Sequence, residues 1–130
     1  MPQKITGSAK KEDELRDYQR QWNFYRTATD RKIVKEELLE FPPDDRAAIA
    51  VEMEAVRKEG LEAARHVRDD IYEVRISAKD VIYRVFFATE GRYSQVLLAV
   101  RAFNKKDQKT LDREIDLAIK RLKDWRSRQK

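Results

Sequence analysis

The chain contains no cysteine and a single histidine, His66, among its 130 residues. Without thiols it has neither a disulfide framework nor a thiolate metal site, and one imidazole leaves too few of the usual ligands for zinc. Cysteine-free chains suit a reducing compartment, so we expect a cytoplasmic location. The first residues lack the apolar stretch of a signal peptide. The apolar run from 81 to 88 is interrupted by Arg84 and is far shorter than the roughly 20 residues of a membrane span.

Glycine is scarce as well, with three residues in the chain. No glycine-rich loop that could cradle phosphates is present, and we find neither a Ser/His/Asp arrangement nor a carboxylate cluster suited to magnesium. These gaps exclude most metal-dependent and nucleotide-dependent chemistries. We therefore expect a protein without metal or cofactor, whose chemistry is performed by its own side chains.

Basic residues, in contrast, are plentiful and unevenly distributed. Residues 101–130 carry 11 Lys and Arg against 5 Asp and Glu, whereas residues 1–100 carry 18 against 19. The net charge of +5 therefore lies in the last thirty residues. Charge of one sign concentrated on one segment is typical of proteins that bind polyanions.

Periodicity predicts one α+β domain. Alternating apolar residues indicate strands, apolar residues three or four apart indicate helices, and Thr110 is a candidate N-cap for the last helix. The predicted elements are, in order, a strand at 22–27, helices at about 33–41 and 43–60, strands at 71–77, 81–88 and 93–103, and a helix at about 110–126. This order predicts a small, mainly antiparallel sheet with an N-terminal helical hairpin and a C-terminal helix. Residues 1–21 form an extension, frayed or briefly helical, ahead of a domain at 22–130.

Two arginines lie within neighbouring predicted strands rather than at their tips. In the simplest hairpin register, Arg75 and Arg84 point to the sheet face opposite the two helices. Two guanidinium groups on one face suit a phosphate, and a displacement at phosphorus needs cations where its oxygens accumulate charge. The alternative is that Arg75 forms an ordinary cross-strand or same-strand ion pair with an acid such as Glu73.

A basic segment follows the last predicted strand and would arrive beside these arginines. A solvated basic turn is the alternative interpretation of this segment. Phe103 could stack on an unpaired base, although its strand periodicity favours the core. His66, Tyr72, Tyr83 and Tyr93 are the other groups that could transfer protons, with Glu73. The candidate nucleic-acid ligands of the segment are Arg101, Phe103, Lys105, Lys106, Gln108 and Lys109.

Five blocks in this order and spacing resemble the RelE/HigB superfamily of type II toxins, in its phage-derived HigB-like branch. The resemblance covers about residues 22–125. Two positions depart from the pattern: Arg101 stands where a histidine is frequent, and Leu111 where a proline is usual. The blocks are Trp22-Asn-Phe-Tyr25, Ile71-Tyr-Glu-Val-Arg75, Tyr83-Arg-Val-Phe-Phe87, Phe103-Asn-Lys-Lys-Asp-Gln-Lys-Thr110 and Glu114-Ile-Asp-Leu-Ala118.

The resemblance implies a RelE-like fold and an mRNA interferase that cleaves translated mRNA on the ribosome through attack by the RNA 2′-hydroxyl. It casts Arg75 and Arg84 as stabilisers of the pentacovalent phosphate, and Lys105 and Lys106 as phosphate anchors and proton donors. It also implies a cognate antitoxin, often a helix-turn-helix protein, that forms a hetero-oligomer with the toxin.

Two other functions stay open from the sequence. Relatives of the same fold poison gyrase without cleaving RNA, so a non-catalytic toxin is one alternative. A non-toxic RNA-binding accessory protein is the other.

Overall fold

The computed structural model describes residues 20–105 and 108–129 of the chain. The expected N-terminal extension, except for its last two residues, and Lys106 lie outside this part. The described elements are β1 (Gln21–Phe24), α1 (Ile33–Leu39), α2 (Pro43–Glu59), β2 (Arg65–Arg68), β3 (Ile71–Ala78), β4 (Val81–Glu90), β5 (Val96–Asn104) and α3 (Gln108–Ser127).

The strands form one five-stranded sheet in the order β1-β5-β4-β3-β2. β1 runs parallel to β5, and the other three pairings are antiparallel. The predicted α+β class with a mainly antiparallel sheet is therefore confirmed. The last strand starts three residues later than predicted, because Arg92–Ser94 forms a 3-10 turn. β2 was missed, because its sequence, Arg-His-Val-Arg, carries three polar side chains and no apolar alternation.

The two N-terminal helices pack as a hairpin against one face of the sheet. α2 has Pro43 in its first turn, where the missing N–H of proline costs nothing, and ends before Gly60. Gly60 has φ +76°, and an added Cβ would lie 3.0 Å from the Arg20 guanidinium. The left-handed backbone at this position therefore favours glycine.

Aromatic rings join this helical hairpin to the sheet. The Phe41 and Tyr83 rings lie 4.6 Å apart, and the Trp22 indole donates a hydrogen bond of 2.8 Å to the Met53 carbonyl. Trp22 also contacts Phe87 edge-on at 5.1 Å. The residues on this face alternate along each strand with those on the other face.

The C-terminal helix, α3, covers part of the opposite face. It buries Ile115, Ala118 and Leu122, and Ile119 and Leu122 line a small cavity with Ile71 of β3. α3 begins at Gln108, so the predicted N-cap, Thr110, lies inside the helix instead of before it. None of the helices among residues 20–105 and 108–129 is long and apolar enough to cross a membrane.

β5 extends beyond its parallel neighbour β1, and polar side chains form hydrogen bonds with the backbone groups of the part that β1 does not reach. β1 pairs only with residues 96–99. Beyond that point the Glu37 carboxylate accepts a hydrogen bond from the Ala102 N–H at 3.1 Å, and Arg121 donates one to the Val100 carbonyl at 2.8 Å. Glu37 and Arg121 are themselves 2.9 Å apart. Two side chains from α1 and α3 thus replace the missing strand.

Replacing Glu37 with alanine should destabilise the fold by about 3–5 kcal/mol, because it leaves a buried amide and a buried guanidinium without their partner. The measurement is the free energy of unfolding from urea denaturation. Glu36→Ala is the matched control, because the neighbouring Glu36 is exposed and forms its ion pair with the exposed Arg31. Equal destabilisation by both variants would contradict the proposed role of Glu37.

Candidate active site

Arg75 and Arg84 are direct cross-strand partners in the β3–β4 hairpin. Residues that face each other in an antiparallel pair project from the same side of the sheet, so both guanidinium groups share one face. It is the face that α3 partly covers, because Ile71 and Arg75 are four residues apart on β3. The structure thus brings together the two arginines that the sequence singled out.

Glu73 lies between these arginines and is itself buried. Its carboxylate accepts a hydrogen bond from Arg84 at 2.5 Å and one from Arg75 at 3.3 Å. The ion pair between Arg75 and Glu73, which the sequence offered as an alternative to a phosphate site, is therefore formed. It does not exclude a shared face, because one carboxylate contacts both guanidinium groups.

The two arginines differ in their access to solvent. The Arg84 side chain is 6% exposed and that of Arg75 is 39% exposed. The Arg84 Nε is buried and has no hydrogen-bond partner among the described residues. Arg84 is therefore fixed at the base of the site with a spare donor, whereas Arg75 is positioned to meet a ligand first.

A third arginine, Arg65, belongs to the same surface. It is the cross-strand partner of Glu73 in the β2–β3 pairing, and its Nε lies 3.9 Å from the Glu73 Oε1. Its side chain is 66% exposed. Sequence reasoning missed Arg65 because β2 itself was not predicted; a charged strand gives no periodic signal.

The start of the basic segment is attached to the hairpin that carries Arg84. The Lys105 N–H donates a hydrogen bond of 3.0 Å to the Ile82 carbonyl, two residues before Arg84 on β4. Lys109 and Gln108 lie in the exposed first turn of α3, and the Gln108 amide donates to Asp112 at 3.2 Å. Among the described residues of the segment, Lys105 is thus the lysine whose backbone is bonded to the strand that carries Arg84.

Arg101 and Phe103 have other partners. The Arg101 guanidinium contacts Glu37 at 2.5 Å and Glu114 at 2.7 Å. Burial lowers the pKa of Arg101, but these carboxylates more than offset it and raise the pKa above the ordinary value. Phe103 is 4% exposed and packs edge-on against Phe86 at 5.0 Å. Its ring belongs to the core and presents no face for a base, which corrects the stacking role expected for it.

Most of the candidate acids and bases lie on the other face of the sheet. His66 pairs with Tyr72 in the β2–β3 register, one position away from Glu73, so both project away from the arginines. Tyr83 also points to the helical hairpin and donates a hydrogen bond to the buried Asp45 carboxylate. This bond, together with burial, raises the pKa of Tyr83 to about 12. Of the candidates named above, Glu73 is the one that shares a sheet face with Arg75 and Arg84, which we call the arginine face.

No cluster of three or more His, Asp or Glu side chains suited to a metal ion occurs among residues 20–105 and 108–129. The guanidinium groups of Arg65, Arg75 and Arg84 lie around the Glu73 carboxylate. Such an arrangement binds an anion with several oxygens, of which a phosphodiester is one.

Comparison with known proteins gives the family of the chain. Residues 36–123 match the model of the phage-derived Gp49-like protein family. Two curated proteins from Mycobacterium tuberculosis, strains CDC 1551 / Oshkosh and ATCC 25618 / H37Rv, are each named probable endoribonuclease HigB1. Each is 34% identical over 108 residues, which cover 81% of this chain and 84% of the relative.

The fold and these matches define a toxin of the RelE/HigB type, as the sequence predicted. Within that class the chain belongs to the phage-derived Gp49-like family.

The raised pKa of Tyr83 predicts how stability depends on alkaline pH. The folded state holds the phenol proton more tightly than the unfolded state, so the advantage of the wild type over Tyr83→Phe is complete below pH 10. It should shrink as the pH rises from 10 to about 12. Urea denaturation of both proteins across this range measures the difference. A difference that stays constant would show that the phenol proton is not held by Asp45.

Proposed function

We propose that the protein is a type II toxin that acts as a ribosome-dependent, metal-independent mRNA endoribonuclease. The observation that carries this proposal is the register of Arg75 and Arg84, which places two guanidinium groups on one sheet face around a common carboxylate. The names of the relatives support RNA cleavage as the reaction class. A cognate antitoxin, often a helix-turn-helix protein in this superfamily, is the partner that would neutralise it.

The chemistry that fits the site is attack by a neighbouring 2′-hydroxyl on a phosphodiester. The 2′-hydroxyl gives its proton to a solvent water molecule, its oxygen forms a bond to phosphorus, and the bond from phosphorus to the 5′-oxygen breaks. The products are a 2′,3′-cyclic phosphate and a 5′-hydroxyl end. Negative charge builds up on the phosphoryl oxygens during this step, so preorganised cations lower the barrier.

Arg84 and Arg75 stabilise this charge in different ways, because they differ in exposure to solvent. Arg84 is held against Glu73 at the base of the site, where its positive charge stabilises the charge that builds up on the phosphoryl oxygens. Arg75 contacts Glu73 at the longer distance of 3.3 Å and turns from the carboxylate to the entering phosphate. Glu73 is then a positioning residue that keeps both guanidinium groups in place before RNA arrives.

Lys105 supplies the remaining charge at the edge of the site. Its backbone is tied to Ile82, at the beginning of the strand that carries Arg84. An ammonium group there anchors the phosphate and donates a proton to the departing 5′-oxygen. Because the nucleophile belongs to the RNA and the charge is balanced by side chains, the reaction requires no metal ion. Arg101 acts indirectly in this scheme, because Glu37 and Glu114 hold its guanidinium.

Substitution of the paired arginines should remove the activity. Arg75→Ala and Arg84→Lys are each expected to lower RNA cleavage by about a hundredfold, since each removes a forked donor from the charge that forms in the transition state. New mRNA 5′ ends within reading frames, mapped after induced expression, measure cleavage, and growth curves measure toxicity.

Arg92→Ala is the control, because Arg92 is exposed in the turn between β4 and β5 and contacts only the Tyr93 ring among the described residues. Circular dichroism and thermal unfolding show whether each variant is folded. If a folded variant that carries both Arg75→Ala and Arg84→Lys still creates new 5′ ends, these arginines are not the active site. Growth arrest by the wild type without new 5′ ends would instead favour a non-catalytic toxin with a protein target such as gyrase.

Arg65 should contribute to RNA binding rather than to the chemical step. Its exposed guanidinium extends the cationic surface to the edge strand β2, where it meets a flanking phosphate. Arg65→Ala is expected to weaken binding of a 2′-O-methyl RNA oligonucleotide and to reduce the salt dependence of binding by about 0.7 in the log–log slope. Arg68→Ala is the matched control on the same strand, because Arg68 pairs with Asp116 of α3 at 2.6 Å. An equal effect of both substitutions would contradict a specific role for Arg65.

A further inference from the structure

A second concave surface lies at the opposite edge of the sheet. It is a cavity of about 400 Å³ beside β1, bordered by the beginning of α1 and the end of α3. Besides Asn23, it is lined by three aromatic rings and three cations, and none of the described residues that line it carries a carboxylate. These residues are Trp22, Phe24 and Trp125, and Arg26, Lys32 and Lys35.

The cavity is separate from the arginine face of β3 and β4. β1 and β3 are separated by two strands of the sheet. Along the other direction, Trp125 lies near the end of α3, whereas Gln108, beside the basic segment, begins it. Gln108 and Trp125 are 17 residues apart on α3, which is about 26 Å along the helix, so the cavity and the basic segment lie at opposite ends of α3.

Several contacts fix the shape of this cavity. The Trp22 indole is held by its hydrogen bond to Met53, and the Lys35 ammonium lies 5.3 Å from the centre of the Phe24 ring. Arg26 pairs with Asp30 at 3.2 Å, and both side chains remain largely exposed. The lining therefore combines apolar flat surfaces with an excess of positive charge.

We propose that this cavity binds one unpaired nucleotide of single-stranded RNA, at a point remote from the cleaved phosphodiester. Aromatic rings next to cations are the chemistry by which proteins bind single strands: rings stack on bases, and Lys and Arg bind the phosphates on either side. The proposal rests on the proposed function in taking RNA as the ligand. It adds a second contact, which holds the strand while the arginine face acts on it.

The charge of the lining favours RNA over a peptide. Among the described strands, β1 lies at the edge of the sheet, and such an edge can also accept an extended peptide as an added strand. β1 has only four residues, however, and offers few main-chain hydrogen bonds. Three cations, with no carboxylate among the described lining residues, match a chain with one negative charge per residue better than a strand with alternating side chains.

The protein carries its own reporter for this test, because its two tryptophans are Trp22 and Trp125 and both line the cavity. Titration with a 2′-O-methyl oligouridine, which cannot be cleaved by 2′-hydroxyl attack, should quench the tryptophan fluorescence. An abasic oligonucleotide of equal length should quench it much less, because it has no base to stack. Quenching by an acidic peptide of alternating Glu and Leu, without quenching by the oligonucleotide, would overturn the proposal.

Variants separate stacking from charge. Trp125→Ala should weaken binding of the oligouridine by about tenfold and leave binding of the abasic strand unchanged. The double variant Lys32→Gln with Lys35→Gln should weaken both strands by about tenfold and reduce the salt slope by about 1.4. Lys58→Gln with Lys120→Gln removes the same charge from exposed positions elsewhere and is the control. Anisotropy of a labelled strand measures binding in each variant.

The outcome is distinguishable from a failure of the proposed function. The cleavage variant Arg84→Lys should retain fluorescence quenching, because its site is on other strands. Quenching by a protein that creates no mRNA 5′ ends would sustain the nucleotide site and reject the nuclease. If the cavity variants cleave mRNA as the wild type does, bind the oligouridine with unchanged affinity and show unchanged quenching, the nucleotide site is rejected and the nuclease is not.

Discussion

The hydrogen bonds of Glu37 at the edge of β5 are the constraint on which the rest of the structure depends. A parallel partner only four residues long leaves the second half of β5 with exposed donors and acceptors, and a buried strand does not tolerate them. Glu37 and Arg121 satisfy these groups, and through Arg101 and Glu114 the same network joins α1, β5 and α3. Helices on opposite faces of the sheet are thereby tied to one strand, whose continuation delivers Lys105 to the candidate site.

A buried carboxylate on β3, two strands away from β5, has a comparable role. Glu73 compensates the charge of Arg84, whose burial at 6% exposure would be costly without an acidic partner. In the proposed function, it thereby orders a guanidinium group ahead of substrate binding, so that the group loses little conformational freedom when a phosphate arrives. The Glu73 carboxylate forms ion pairs with both arginines, and in the proposed function the same ion pairs keep the two guanidinium groups in place for a phosphate. It restrains Arg84 more tightly than Arg75.

The sequence was sufficient for the elements with strong periodicity. β3 and β4 alternate cleanly, and their two-residue link fixes the register that pairs Arg75 with Arg84. The sequence was insufficient where tertiary partners decide. β2 is a strand because it pairs with β3, and Arg101 forms an ion network because Glu37 comes within 2.5 Å of it from 64 positions away in the chain. For Phe103, in contrast, the strand periodicity indicated burial in the core, whereas the basic residues that follow it suggested that its ring binds a base.

The parallel pairing of β1 with β5 joins the first strand of the domain to its last. Contacts between segments so distant along the chain form late, because the intervening loop must close first. During synthesis, β1 is made about 75 residues before the residues of β5 with which it pairs. The β3–β4 hairpin that carries Arg75 and Arg84 therefore stays without its neighbouring strand until most of the chain has been made.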